Sequence, residues 1–310
     1  MIDARGGGLR PGSLPMGRGV TIPGGLGLAG VIVYLLIQVL AGGGGSAGGY
    51  GVDNPFGQTP QAPGADGRGI PAAQDPERDL KEFSGYVFSR TLNTWEELFA
   101  DEGRAFARAK VVFYRDAVST GCGDASSAVG PFYCPADQRV YLDLSFYHDM
   151  VTQLGASGDF AWAYVIAHEV GHHVQQQLGT SDDVSRLQRD DRSQANALSV
   201  RLELQADCYA GVWAHSVFAA GDLDKGDVRE AIRASAAVGD DRLQRGAGGQ
   251  VNPDSFTHGS SEQRMDWFKR GRASGEPADC DTFSPESVSV RAPSSGMSTA
   301  ATVTSSARPA

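Results

Sequence analysis

The stretch "AHEVGHHVQ", residues 167–175, places three histidines and a glutamate within six positions. Residues four apart on a helix share a face, so His168 and His172 can point at one metal ion. His173 projects elsewhere and is excluded as a ligand. Glu169, directly after the first ligand, can reach a water beside the metal and serve as a base. Downstream, "RLELQADCYAG" sets Glu203 and Asp207 four apart on a second helix. Two histidines and one carboxylate leave a catalytic Zn2+ a coordination position for water or substrate. Glu203 is the expected third ligand. Asp207, one turn on, is expected to accept a hydrogen bond from a ligating imidazole and fix its tautomer. Cys208 lies five residues past Glu203, on the wrong face to coordinate. Gly171 inside the first helix costs about 1 kcal/mol against alanine, which a close-packed neighbour would explain.

Elements must hold these residues in place. The region 76–285 reads as one catalytic domain. "DPERDLKEFSGYVFSRTLNTWEELFA" carries helical spacing, with an interruption expected near Thr91 to Thr94. Residues 109–118 read as a strand, and "GPFYCPADQRVYLDLSFY" as a hairpin turning at Pro135-Ala136-Asp137. Helices are expected at 145–154, from Asp159 as cap to the stop at Gly179, at 191–220, at 225–245, and from Ser260, where a capping-box pattern opens the last one. The expectation is an α+β fold, mostly helical, with a small antiparallel sheet. The strand Arg139 to Leu144 could form an edge along the cleft or an ordinary core strand.

The flanks differ in composition. Residues 1–23 are rich in glycine and arginine, and "GGLGLAGVIVYLLIQVLAGG", residues 24–43, is uncharged and long enough for one transmembrane helix. Arg5, Arg10 and Arg18 precede it and no basic residue follows until Arg68, so the N-terminus is expected in the cytoplasm and the domain outside. A cleaved signal peptide is the rival reading, and it too exports the domain. Residues 44–75 form a Gly/Pro-rich linker, and 286–310 a Ser/Ala-rich disordered tail. The four cysteines suit an oxidising compartment, with Cys122–Cys134 as a local staple and Cys208–Cys280 tying a helix to the domain's end. A net charge of −10 without a basic stripe excludes nucleic acid as the main partner.

HEVGH followed by ELQAD is similar to the gluzincin pattern. Together with "CPADQRVYLDLSF", "RLELQADCYAGVWAH", "THGSSEQRMDWFKRG" and "CDTF", it resembles the bacterial neutral zinc metallopeptidases, membrane-anchored proteins with one N-terminal segment. The resemblance covers most of 77–285 and implies a zincin-like fold and peptide-bond hydrolysis. "FTHGSSEQR" is also similar in layout to the THPxxxxR stretch of membrane-associated gluzincins. His258 is therefore a candidate oxyanion donor in catalysis, and Arg264 a structural ion-pair residue. His148 and His215 are assigned to surface or packing. The expected function is a membrane-tethered zinc peptidase acting outside the cytoplasm on a peptide or protein substrate. The alternatives are an inactive zincin-fold scaffold and a zinc amidase of cell-wall material.

Overall fold

The computed structural model describes residues 1–5, 74–126, 129–224 and 226–284. The expected transmembrane segment 24–43, most of the linker and the C-terminal tail lie outside these residues. Among the described residues no helix is long and apolar enough to cross a membrane.

Among the described residues six strands make two sheets: β1 (Ile2–Asp3), β2 (Lys110–Tyr114), β3 (Ala117–Thr120), β4 (Gly123–Ser126), β5 (Phe132–Cys134) and β6 (Arg139–Asp143). The larger sheet has the order β1-β2-β6-β5, while β3 and β4 form a separate hairpin. Only β5–β6 is antiparallel in the larger sheet; β2 runs parallel to both β1 and β6. The expected antiparallel sheet is thus mixed. The β3–β4 hairpin carries the chain away from β2, so β5 enters on the far side of β6 and turns back antiparallel onto it. The predicted long strand from 109 breaks at Asp116, whose φ of 68° no strand residue adopts.

The sheet alternates faces with period two. Val111, Phe113, Val140 and Leu142 face the helices, while Val112, Tyr114, Phe132 and Tyr141 pack beneath Val118, Cys122 and Ala125 of the hairpin region. The Cys122–Cys134 disulfide fastens that hairpin to β5, and Cys208–Cys280 joins a helix to the domain's end, both pairings as expected.

The helices are α1 (Arg78–Asp101), α2 (Leu144–Thr152), α3 (Asp159–Leu178), α4 (Thr180–Asp190), α5 (Ala195–Ala219), α6 (Asp227–Ala237), α7 (Asp240–Gly246) and α8 (Ser261–Ser274). The helix α1 runs without the expected break, because Thr91 satisfies its hydroxyl on the Val87 carbonyl at 2.8 Å and stays helical. Polar α4 was hidden by its charged sequence; only Val184 is buried. The predicted helix at 225–245 divides at Val238-Gly239 into α6 and α7. At Gly239 a side chain would overlap the Ser261 backbone. Asp159 lies in the first turn of α3 rather than at its cap, which is Gly158. The C-terminal stop is Gly179, left-handed at φ 83°, and α8 opens with the full Ser260–Gln263 capping box.

Central α3 is buried at every residue from Phe160 to Gly171. It packs on α1, where the Trp162 Nε1–H donates to Ser84 Oγ at 2.8 Å, and on α5 and α6. Helices α5 and α8 cross in backbone contact. A Cβ on Gly211 would strike the Phe268 carbonyl, and one on Gly271 the Cys208 carbonyl. Both neighbours are main chain and cannot swing aside. Gly271→Ala should therefore destabilise the domain by at least about 2 kcal/mol despite alanine's better helix propensity. A denaturant titration that finds the variant as stable as the parent would refute this contact.

Candidate metal centre

Helices α3 and α5 cross at Gly171 and Ala206. A Cβ on Gly171 would lie 3.1 Å from the Ala206 carbonyl oxygen and 3.2 Å from its Cα. This is the close neighbour that the glycine implied. The crossing sits between His168 and His172 on one helix and between Glu203 and Asp207 on the other, so all four face one another.

His168 Nε2 is 3.2 Å from His172 Nε2 and 3.2 Å from Glu203 Oε2; His172 Nε2 is 3.4 Å from Glu203 Oε1. Ligand bonds of about 2.0–2.1 Å put the edges of a zinc tetrahedron at roughly 3.3–3.4 Å. The three residues offer one face of such a tetrahedron. They are the one group of this kind among the described residues.

The tautomers are set from behind. His168 Nδ1–H donates to Asp207 Oδ1 at 2.9 Å, the contact expected of Asp207. His172 Nδ1–H donates to Gln175 Oε1 at 2.9 Å, and Gln175 Nε2 donates in turn to the Leu202 carbonyl at 2.6 Å. Both Nε2 atoms are thereby directed at the common point. Gln175 escaped the sequence reading, although its place three residues after His172 on the same face was a usable signal.

Arg264 grips Asp207 through Nε to Oδ2 at 2.8 Å and Nη2 to Oδ1 at 2.9 Å, and donates to the Val238 carbonyl at 3.2 Å. It is an ion-pair residue, as expected, and its guanidinium also lies 3.8 Å from Glu203. Tyr164 adds a short hydroxyl bond to Asp207. With the imidazoles neutral, as ligands must be, Glu169, Glu203 and Asp207 meet one cation among the described residues, Arg264. Two negative charges are left over, which one divalent ion would balance. The donor set fits zinc in number, type and charge.

Electrostatics agree. Burial alone would strip His168 of its proton, but the Asp207 and Glu203 carboxylates overrule it and raise its pKa to about 10. Burial pushes the Glu169 carboxyl upward, and the neighbouring imidazoles only partly oppose this. Glu203, also desolvated, is held well below the usual carboxylate range by His172 and His168.

His173 is buried away from this point. Its Nε2–H donates to the Ala107 carbonyl at 2.6 Å and its Nδ1 accepts from the Tyr133 hydroxyl at 3.0 Å. His215 donates to the Arg272 carbonyl at 2.9 Å, a packing role as assigned. His258, by contrast, borders the cavity that holds the triad. Its Nδ1–H donates to Asp240 Oδ1 at 3.1 Å, and Asp240 Oδ2 accepts the backbone N–H groups of Thr257, His258 and Gly259 at 2.7, 2.7 and 3.1 Å. Asp240, distant in sequence, gave no local sign of this part.

The cavity has a volume of about 840 Å³, within the usual range for ligand sites. Glu169, His168 and His172 border it beside Phe132, Tyr133 and Pro135. The edge beside the cleft is therefore β5. Strand β6, one candidate for that position, is enclosed between β2 and β5.

The profile of the family described as "Putative neutral zinc metallopeptidase" matches residues 1–283. The chain is 48% identical over 268 residues to the uncharacterized protein YpfJ of Escherichia coli K12, covering 86% of this chain and 90% of that protein. It is 46% identical over 190 residues to the uncharacterized protein Rv2575 of Mycobacterium tuberculosis H37Rv, covering 58% of this chain and 64% of that protein. No solved structure matches.

A metal ligand must be neutral at the coordinating nitrogen, whereas metal-free His168 keeps its proton up to about pH 10. Zinc binding at pH 8 should release about one proton from this residue, and affinity should fall as pH drops. Calorimetry in buffers of different ionisation enthalpy measures the release, and none at pH 8 would contradict the His168–Asp207 assignment.

Proposed function

Because this chain belongs to the neutral zinc metallopeptidase family, we propose that it hydrolyses peptide bonds with Zn2+ held by His168, His172 and Glu203. The observation that carries this reading is the triangle of ligand atoms beside Glu169 in one cavity. Bound there, zinc would act as a Lewis acid that makes water acidic near neutral pH.

The protein's own groups do the rest. Among the described residues no hydrogen bond engages the Glu169 carboxylate, and its burial makes it a better base than an exposed glutamate. It takes a proton from the attacking water and passes it to the departing amine. Asp207 and Gln175 keep the two imidazoles in one tautomer throughout. His258, anchored by Asp240 at the border of the cavity, is placed to hydrogen-bond the developing oxyanion. An extended peptide can lie along β5, which has β6 as its single partner strand among the described residues. This edge favours peptide over cell-wall amides. The free, buried Glu169 favours turnover over a silent scaffold.

The two disulfides support an oxidising compartment outside the cytoplasm as the place of action. The apolar run at 24–43 supports membrane attachment.

Glu169→Gln should retain one zinc per chain and lose at least about 100-fold in turnover of casein or a peptide library. Unchanged turnover would remove Glu169 from the mechanism. His258→Ala should keep its zinc and lose about 10²–10³-fold in kcat. A loss confined to KM would instead make His258 a binding group.

A further inference from the structure

The first five residues are built into the catalytic domain. Ile2 and Asp3 pair with Val112 and Phe113 of β2, and the Ala4 N–H donates to the Phe113 carbonyl at 2.8 Å. The Met1 side chain occupies the notch over Gly85 of α1, where a Cβ would collide with it. Arg5 closes the attachment with a side chain only 1% exposed. It donates to Asp75 Oδ1 at 2.8 Å, to Glu77 Oε2 at 2.9 Å, and to Asp3 through Nε at 2.9 Å and Nη2 at 2.7 Å. Lys81 joins the cluster, 2.9 Å from Asp3 and 2.7 Å from Asp75. Exposed ion pairs contribute little, but this cluster is buried, and losing one member leaves charges without partners. The family match also begins at residue 1, so these residues belong to the matched unit.

Arg5 and Asp75 touch, yet the apolar run of 24–43 lies between them in sequence. A chain that crosses a bilayer once leaves its ends on opposite sides of about 30 Å of hydrocarbon. A single crossing and this contact exclude each other. We infer that residues 1–5 occupy the same compartment as the catalytic domain, clasped there by Arg5 between Asp3, Asp75 and Glu77. Any membrane attachment between residues 5 and 75 then has both ends on one face. The positive-charge asymmetry that assigns the N-terminus to the cytoplasm loses Arg5 from its count, because carboxylates of the domain itself neutralise it, and retains Arg10 and Arg18. This holds whether or not the domain is a peptidase.

Met1 is 74% exposed, so a short epitope placed before it should not disturb β1. The full chain carrying that epitope, in intact spheroplasts, is treated with a protease that cannot enter. The epitope and the catalytic domain should be attacked together or protected together. Attack on one while the other stays protected until detergent is added overturns the inference. In the purified full chain, a carbodiimide should link Asp3 to Lys81 within the monomer band, read by mass spectrometry. Arg5→Ala should lower the melting midpoint by roughly 5–10 °C, with partial recovery in Arg5→Lys. A link found only between chains, or an unchanged midpoint, overturns the clasp.

Discussion

The close crossing of α3 and α5 at Gly171 and Ala206 is the constraint on which the site rests. The backbones approach so nearly that a methyl group at residue 171 would press on the Ala206 carbonyl. That approach brings imidazoles from one helix within 3.2–3.4 Å of a carboxylate on the other. A wider crossing would leave His168 and His172 side by side with no third donor. The helical cost of the glycine is the local expense of a long-range geometry.

A second close crossing extends the same logic. Gly211 and Gly271 let α8 lie on α5, which delivers Arg264 to Asp207. The result is a row of charges through three helices, from Glu203 through His168 and Asp207 to Arg264. Each neighbour in the row is opposite in sign when His168 is protonated. Replacing that proton by a divalent ion adds one positive charge, which Glu169 beside the row would offset. The Cys208–Cys280 disulfide, one residue from Asp207, braces α5 at this point.

One cavity holds the site. Helices α3 and α5 form its floor, β5 its rim, and the Asp240-anchored loop with His258 another wall. The groups that would handle protons are held by rigid elements, while the cavity between them leaves room for an extended substrate.

Spacing alone determined which imidazoles share a face. HExxH puts two imidazoles on one side of a helix, Glu203 and Asp207 repeat that spacing, and His173 falls on another face. The capping box at Ser260, the stop at Gly179 and the hairpin at Pro135 were equally local, since turn and cap chemistry resides in a few adjacent residues. Both disulfide pairings followed from position. The tertiary structure alone decided what depends on distant partners. Strand order made the sheet mixed and β5 the edge. Asp240 reached back to His258 across a loop. One helical pattern became two helices at Gly239, where the Ser261 backbone lies too near for any side chain. Ile2 and Asp3, in a stretch without periodicity, became a strand because β2 offered an edge and Asp75 and Glu77 offered charge to Arg5. Such outcomes turn on free energies of contact between remote segments, which no window of neighbouring residues contains.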